Sequence, residues 1–160
     1  MTSAPLIKVL MIEDDEDDFI LARDLFRAIK SSYFEVDWVR TFDAGLQAAL
    51  ANRHDICLVD YRLGAHNGVE LVQAAMTGGC QSPMILLTGM GEHTVDVAAM
   101  RAGAADYLIK GKLEAGELER TIRYAIERKR AAALAAFEQA RLAAFGAEAL
   151  EVDGHDRRKD

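Results

Sequence analysis

The feature that most constrains the fold is a regular alternation between short apolar runs and longer amphipathic stretches. The apolar runs are too short for helices and predict strands, whereas apolar residues at helical spacing, such as Phe19, Leu25 and Phe26, predict amphipathic helices. We predict strands over residues 7–12, 34–39, 56–59, 84–88 and 106–109. Helices are predicted over residues 16–30, 42–51, 69–76 and 93–102, and a fifth begins at Glu114 with no clear stop before Gly146.

This alternation predicts an α/β fold with a doubly wound, five-stranded parallel sheet and five helices, the last of them extended. The short connections are typical of right-handed crossovers between parallel strands. We take the strand order 2-1-3-4-5, which is common in such sheets. Because ligands bind beyond the carboxyl ends of the strands in these folds, the residues that follow each strand are the candidates for a functional site.

Polar side chains lie at the ends of four of the five predicted strands. They are Glu13, Asp14 and Asp15 after strand 1, Asp60 after strand 3, Thr88 in strand 4 and Lys110 after strand 5. In the order 2-1-3-4-5 strands 1 and 3 are neighbours, so the acidic group should face Asp60, with Thr88 and Lys110 converging from the other side. Each residue alone has a structural explanation, since an acid can cap the next helix and a lysine can lie on the surface. Their coincidence at one sheet edge predicts a site.

The chemistry of this group favours phosphoryl transfer. Several carboxylates in one pocket repel one another unless a cation compensates. Mg²⁺ prefers oxygen ligands, so we predict a Mg²⁺ site, at which Mn²⁺ can substitute. A carboxylate beside Mg²⁺ and Lys110 can attack phosphorus and form an aspartyl phosphate. Lys110 and the metal would neutralise the phosphoryl charge, and the Thr88 hydroxyl would bind one of the phosphoryl oxygens.

Four segments at these strand ends resemble the response-regulator receiver family. They are VLMIEDDEDD, DICLVDYRLGAHNGVEL, PMILLTG and GAADYLIKG, in that order across residues 7–111. The resemblance, with the start of the following helix, covers about the first three quarters of the chain. It implies a flavodoxin-like receiver fold, with a receiver domain over residues 5–128, and a response regulator of a two-component phosphorelay.

The resemblance implies a role for each matching position in the phosphorylation site. Asp60 matches the phosphoacceptor. Glu13 and Asp14 match the acidic pair that holds the metal, with Asp14 the expected direct ligand. Arg62 matches the position whose backbone carbonyl binds the metal, and Lys110 matches the lysine of the motif.

The resemblance further implies a switch and a phosphoryl donor. Thr88 matches the switch hydroxyl, and Tyr107 matches the aromatic residue that turns inward in the active state. The implied donor is a sensor histidine kinase or a histidine phosphotransfer protein. The only catalysis expected of the chain is its own phosphorylation and dephosphorylation, so it is not otherwise an enzyme.

The chain departs from the family pattern at two glycines. Gly111 follows Lys110 and Gly64 lies four residues after Asp60, where the family often has proline. A cis peptide after Lys110 is therefore not expected, and the loop there should be looser. Arg62 and Met90 occupy positions that tune dephosphorylation in the family, and Gly89 should leave the phosphoryl site open.

The residues after position 128 carry a separate prediction. Residues 129–150 are predicted to be a helical extension and residues 151–160 a polar, disordered tail. A helix from Glu114 to Phe145 would be about 45 Å long, whereas a receiver core has a radius of gyration of about 13–14 Å. An apolar stripe predicts a homodimer through this helix; it comprises Ile122, Ile126, Ala133, Phe137, Ala140 and Ala144. Two alternatives stay open, namely a solvated alanine-rich helix and docking of a basic cluster onto an acidic partner or membrane surface. The cluster comprises Arg120, Arg123, Arg128, Lys129 and Arg130.

Composition and hydropathy restrict the classes of partner and the cellular location that we expect. The net charge of -7 argues against a nucleic acid as the main partner. No apolar run approaches the roughly 20 residues that span a bilayer, and no signal peptide is visible. We therefore expect a cytoplasmic protein without stable membrane insertion. The residues after the receiver segment are too few for a further domain with its own core, so neither a DNA-binding nor an enzymatic output domain is expected.

Three other functions are compatible with part of the pattern. A metal-dependent phosphatase with an aspartyl nucleophile usually has a second acid two residues later, where this chain has Arg62. A pseudo-receiver that is never phosphorylated would lack Asp60, Lys110 or the acidic pair. A flavin-binding module of the same fold would find its phosphate repelled by the acids after strand 1.

Overall fold

The fold is described by a computed structural model, which covers residues 4–89 and 95–157, the last eleven by their backbone alone. The five main strands are β1 (Leu6–Ile12), β2 (Tyr33–Val39), β3 (Ile56–Asp60), β4 (Met84–Thr88) and β5 (Asp106–Ile109). The helices are α1 (Glu16–Ala28), α2 (Phe42–Leu50), α3 (Gly68–Thr77), α4 (Val95–Ala102) and α5 (Ala115–Arg157). The predicted start of the fourth helix at residue 93 lies outside the described residues.

The sheet is parallel throughout, with the order β2-β1-β3-β4-β5. The predicted fold class and strand order are confirmed. Every residue of β3 and β4 is buried, as expected for central strands covered on both faces. The edge strand β2 alternates between exposed and half-buried residues, which gives it the period of a strand with one covered face.

Two apolar cores cover the two faces of the sheet. On one face, Leu10, Val59 and Leu86 pack with residues of α2, α3 and α4. On the other face, Met11, Leu58 and Ile85 pack with α1 and the first turns of α5. The arrangement is therefore doubly wound, as predicted, and it leaves the carboxyl ends of the strands open for a site.

Side-chain caps start three of the helices and hold the loops that follow the strands. Asp15 accepts a hydrogen bond from the backbone N–H of Asp18 at 3.0 Å and begins α1. Thr41 does the same for α2 through Ala44 at 3.2 Å, and Asn67 caps α3 through Glu70 at 2.9 Å. Such caps satisfy backbone N–H groups that have no partner inside the helix. Asp15 therefore caps α1, which is the structural role that the sequence analysis gave as the alternative to a functional one.

A short antiparallel hairpin, which the sequence did not predict, lies between β3 and α3. Its strands are Arg62–Leu63 and His66–Asn67. Gly64 in its turn has a φ of 62°, a conformation that is closed to proline, whose ring fixes φ near -65°. Glycine at position 64, where the family often has proline, therefore allows the turn of this hairpin to form. The segment after β5 is also more regular than expected, because Lys110–Lys112 form a turn of 3₁₀ helix rather than a looser loop.

The last helix differs from the prediction in two respects. Its backbone is helical to Arg157, so the disordered tail predicted from residue 151 is wrong up to that point. The segment 151–157 contains no proline, the residue that would interrupt a helix. Ile122 and Ile126 are buried in the core of their own chain, so they cannot belong to the predicted dimer stripe.

The chain consists of two compact units, Met1–Ile126 and Glu127–Asp160. In the second unit the large apolar side chains Leu134, Phe137, Leu142 and Phe145 are all exposed. The predicted boundary after residue 128 stays a prediction. Over the stretches that the structure describes, no helix combines the length and the apolar character needed to cross a membrane.

Candidate functional site

Three carboxylates meet at the carboxyl edge of the sheet. Glu13, Asp14 and Asp60 each have an oxygen within 4.8 Å of the other two. They come together because β1 and β3 are paired in parallel, with Ile12 opposite Val59, so the residues that follow these positions share one edge. The sequence-predicted acidic group and Asp60 are thus neighbours. The exposed Asp15 and Asp17 belong to the start of α1 instead.

Lys110 brings a positive charge into this group. Its Nζ atom lies 2.8 Å from Asp60 Oδ1 and 2.9 Å from Glu13 Oε2. A third carboxylate, Asp18 on α1, is 2.8 Å from the same nitrogen. Burial lowers the pKa of Lys110, but hydrogen bonds to these three acids outweigh it and hold the pKa above its ordinary value. Lys110 is therefore a permanent cation in this site.

This environment shifts the pKa of Glu13. Its side chain is fully buried, and burial raises its pKa, which Lys110 lowers and the nearby Asp60 raises again. The net result is a pKa of about 8 instead of 4.5. Without a further cation, Glu13 therefore carries a proton at neutral pH, as expected where like charges share a pocket.

The donor set fits a hard divalent cation. Both oxygens of Glu13 already have partners in the protein, since Oε1 accepts a hydrogen bond from the backbone of Asp15 at 3.2 Å and Oε2 contacts Lys110. Asp14 is exposed at the same edge. All-oxygen ligands with an open side suit Mg²⁺, which keeps several of its waters. Glu13, Asp14 and Asp60 are therefore the residues that could hold such a cation.

Thr88 and Tyr107 lie on the side of the site formed by β4 and β5. Thr88 is buried and pairs with Ile109 in the sheet, and its hydroxyl donates to the Leu108 carbonyl at 3.4 Å. Tyr107 is 36% exposed and borders an open depression of 420 Å³ beside α4. Thr88 follows Leu87, which lies opposite Asp60 in the sheet, whereas Tyr107 is exposed at the surface.

Other sequence-predicted positions flank the site. Arg62 is exposed and begins the hairpin two residues after Asp60. Gly89 follows Thr88 directly, and Met90 lies outside the described residues. Gly68, the first residue of α3, approaches the Asp60 carbonyl so closely that a Cβ would clash with it, so glycine there allows α3 to start close to the carboxyl end of β3.

Besides the contact of Asp18 with Lys110, the structure adds two further contacts that sequence reasoning missed. Trp38 donates its indole N–H to the Glu13 carbonyl at 2.7 Å, and Arg40 donates to the Asp14 carbonyl at 3.2 Å. The guanidinium of Arg40 lies 4.8 Å from the centroid of the Trp38 ring. Both residues are at the end of β2, next to β1, and together they fix the backbone that carries the acidic pair. Their only sequence signal was this position at a strand end.

The comparison with known proteins agrees with this geometry. The family described as response regulator receiver domain matches residues 9–123. Among curated proteins, the photosynthetic apparatus regulatory protein RegA of Rhodovulum sulfidophilum is 34% identical over 101 residues, which are 63% of this chain and 54% of the relative. The acid tolerance regulatory protein ActR of Sinorhizobium medicae is 33% identical, over 64% of this chain and 52% of the relative. The chain thus spans about half the length of these two relatives.

A solved structure extends the comparison to the fold. The response regulator receiver domain protein from Clostridium thermocellum superposes with a TM-score of 0.68 at 25% identity. The superposition covers 78% of this chain and 97% of that one. The family match ends at residue 123, so the chain after that point has no counterpart in the matched family region.

Proposed function

The chain belongs to the family of response regulator receiver domains, and we propose that it accepts a phosphoryl group on Asp60 in a Mg²⁺-dependent reaction. The receiver domain of a response regulator acts in two-component signalling. The observation that carries the assignment to Asp60 is the ion pair between Asp60 Oδ1 and Lys110 Nζ at 2.8 Å, beside two further carboxylates. Asp60 is nearly buried within this group.

The proposed reaction is a direct transfer between a phosphohistidine and Asp60. The P–N bond of the donor breaks while a bond forms between phosphorus and a carboxylate oxygen of Asp60, and the imidazole leaves with the electron pair. Lys110 already touches Asp60 and is held there by Glu13 and Asp18. It can therefore stabilise negative charge on the transferring group without reorganising. Mg²⁺ bound by Asp14 and Asp60, with the Arg62 carbonyl, would supply further neutralising charge.

We propose that Thr88 and Tyr107 carry the signal away from Asp60. The Thr88 hydroxyl has only a long hydrogen bond, 3.4 Å to the Leu108 carbonyl, so a phosphoryl oxygen offers it a better partner. Movement of Thr88 would free space for Tyr107, which lies one strand away and has an exposed ring. A local change in charge would thereby bias a two-state element at the surface of α4 and β5.

The distal part of α5 supports the proposal of a homodimer. Leu134, Phe137, Leu142 and Phe145 are each at least 60% exposed. Exposure of such large apolar side chains to water is unfavourable, and packing against a second copy of the helix would remove it.

The second proposed partner is the donor of the phosphoryl group. A sensor histidine kinase or a histidine phosphotransfer protein is the proposed source of the phosphoryl group.

The experiment that tests the function is phosphotransfer profiling. The purified chain would be incubated briefly with each autophosphorylated histidine kinase and phosphotransfer protein of the source organism. We expect rapid transfer from one donor and slow or no transfer from the rest, with Asp60→Asn as the control that accepts nothing. A phosphatase would instead release phosphate from simple phosphoesters, and a pseudo-receiver would accept from no donor. Either of those results contradicts the proposal.

A further inference from the structure

A groove of 490 Å³ opens between α1 and the edge strand β2, on a face that the phosphorylation chemistry does not use. Its lining combines three cations with aromatic rings. We call it the α1–β2 groove and define it by Arg23, Arg27, Lys30, Phe19, Tyr33 and Phe34. The groove lies wholly within the first compact unit of the chain. Three cations at one place stand out on a chain whose net charge is -7.

The cations of the groove are poorly matched by the chain's own acids. Among the residues that the structure describes, the Nε–H of Arg23 is buried and has no hydrogen-bond partner. Its nearest carboxylate, Asp24, lies 3.5 Å from a different nitrogen. Throughout the described ranges 4–89 and 95–146, Arg27 and Lys30 form no ion pair, and Lys30 only donates to the Arg27 carbonyl at 3.2 Å. A buried donor without a partner is costly, and the Arg23 side chain, which is 39% exposed as a whole, can still meet an incoming carboxylate through the rest of its guanidinium.

The apolar lining and the open strand edge fit an extended chain. Phe26 and Phe34 pack with ring centroids 4.9 Å apart at the base of the groove, and Tyr33 is 66% exposed at its rim. Within the described part of the chain β2 is paired only with β1, so its other edge has no strand partner there. Extended peptides bind such edges by adding a strand, with side chains entering neighbouring pockets.

We propose that the α1–β2 groove binds an extended acidic peptide segment of a partner protein, with an aromatic or large aliphatic side chain among its carboxylates. The fork of an arginine matches a carboxylate in geometry as well as in charge. The aromatic lining provides the apolar contact that a purely acidic chain would leave unused. Nucleic acids and anionic membranes are disfavoured, because neither can add a strand to the open edge of β2.

Trp38 provides an internal reporter of this binding. Phe19, which lines the groove, stacks on Trp38 with ring centroids 4.1 Å apart and an interplanar angle of 3°. Trp38 is the only tryptophan of the chain. A segment that contacts Phe19 should therefore change the tryptophan fluorescence, independently of any label on the peptide.

The test uses a fluorescein-labelled copolymer of glutamate and tyrosine as the probe, with polyglutamate as the matched probe that lacks aromatic rings. Binding to the full chain is followed by fluorescence anisotropy and by Trp38 emission. We expect the copolymer to bind at least about tenfold more tightly than polyglutamate, and the double variant Arg27→Glu/Lys30→Glu to lose about tenfold in affinity. Both substituted side chains are exposed, so the fold should be retained.

The matched control is Arg53→Glu, which reverses an exposed cation in the loop after α2. It should change the affinity by less than about twofold, since it leaves the groove intact. An equal loss in Arg53→Glu would mean general charge attraction and would overturn the proposal, as would equal affinity for the two polymers. Binding to phosphatidylserine vesicles that depends on Arg27 and Lys30, without copolymer binding, would assign the groove to a lipid surface instead. The proposal does not depend on phosphorylation of Asp60, and far-ultraviolet circular dichroism of each variant serves as the folding control.

Discussion

The Nζ atom of Lys110 lies 2.8 Å from Oδ1 of Asp60, so the ammonium group and the proposed nucleophile are in contact before any phosphoryl group arrives. The same nitrogen also contacts Glu13 and Asp18. Three acids thus share one cation, and the group as a whole carries excess negative charge. The behaviour expected of the site follows from how a metal or a phosphoryl group changes this balance.

Mg²⁺ binding should depend on pH through Glu13. The pKa of Glu13 is raised to about 8, so below that pH the apo site holds a proton that the cation must displace. Affinity for Mg²⁺ should therefore rise with pH up to about 8 and then level off. At about pH 7, binding of Mg²⁺ should release a proton from Glu13 to the buffer. Calorimetry in two buffers of different ionisation enthalpy measures this release. Glu13→Gln should bind without it, and an unchanged proton release in that variant would contradict the assignment.

Asp18→Asn should slow phosphorylation by acetyl phosphate by roughly twofold to fivefold, the scale expected for a partly exposed charge pair. Asp18 accepts a hydrogen bond from Lys110 at 2.8 Å and helps to hold the ammonium group against Asp60, so its loss leaves Lys110 less well positioned. The matched control is Asp17→Asn, which removes the same charge from the neighbouring exposed position. Initial labelling rates at fixed Mg²⁺ measure the effect. Equal rates for the two variants would show that Asp18 acts only through general charge.

Thr88→Ala should separate phosphorylation from the response. Asp60 and Lys110 are untouched in this variant, so labelling by acetyl phosphate should change by less than about threefold. The spectral shifts of Tyr107 that accompany phosphorylation should be lost, because the alanine cannot bind a phosphoryl oxygen. Nuclear magnetic resonance of the phosphorylated protein reads both effects. The control is Thr77→Ala, at the exposed end of α3. Normal Tyr107 shifts in Thr88→Ala would rule out the proposed coupling.

The full chain should sediment as a dimer at tens of micromolar, and Leu134→Glu/Phe137→Glu should make it a monomer. Both side chains are more than 60% exposed in the single chain, and a charge in a helical seam opposes pairing. Ala132→Glu is the control, since residue 132 lies on nearly the opposite face of the helix from residue 134. Monomeric behaviour of the unmodified chain, with and without phosphorylation, would exclude the dimer.

The positions at the sheet edge could be predicted because strand ends are fixed by short-range patterns. Once residues 7–12 and 56–59 are assigned as neighbouring parallel strands, the residues after them must share one edge. The grouping of Glu13, Asp14 and Asp60 could therefore be predicted without knowledge of side-chain packing. The strand order itself is not local information and came from the common pattern for such folds.

The contacts that were missed depend on tertiary packing. Asp18 reads as one of several acids in the first turn of α1, and only the rotation of that helix against the sheet directs it to Lys110. The Arg62–Asn67 hairpin consists of two-residue strands, which are too short to show a period. Along α5, Ile122 and Ile126 share the helical spacing of the later apolar residues, and spacing cannot tell a core contact from a dimer seam.

The most direct test of the account is the mass of the chain after incubation with acetyl phosphate and Mg²⁺, followed by peptide mapping. We predict the addition of one phosphoryl group, stable to acid and labile to base, on the peptide that contains Asp60. It should be absent when a chelator is in excess and absent in Asp60→Asn, whose fold can be checked by circular dichroism. Full labelling of Asp60→Asn, or full labelling in the presence of the chelator, would contradict the account.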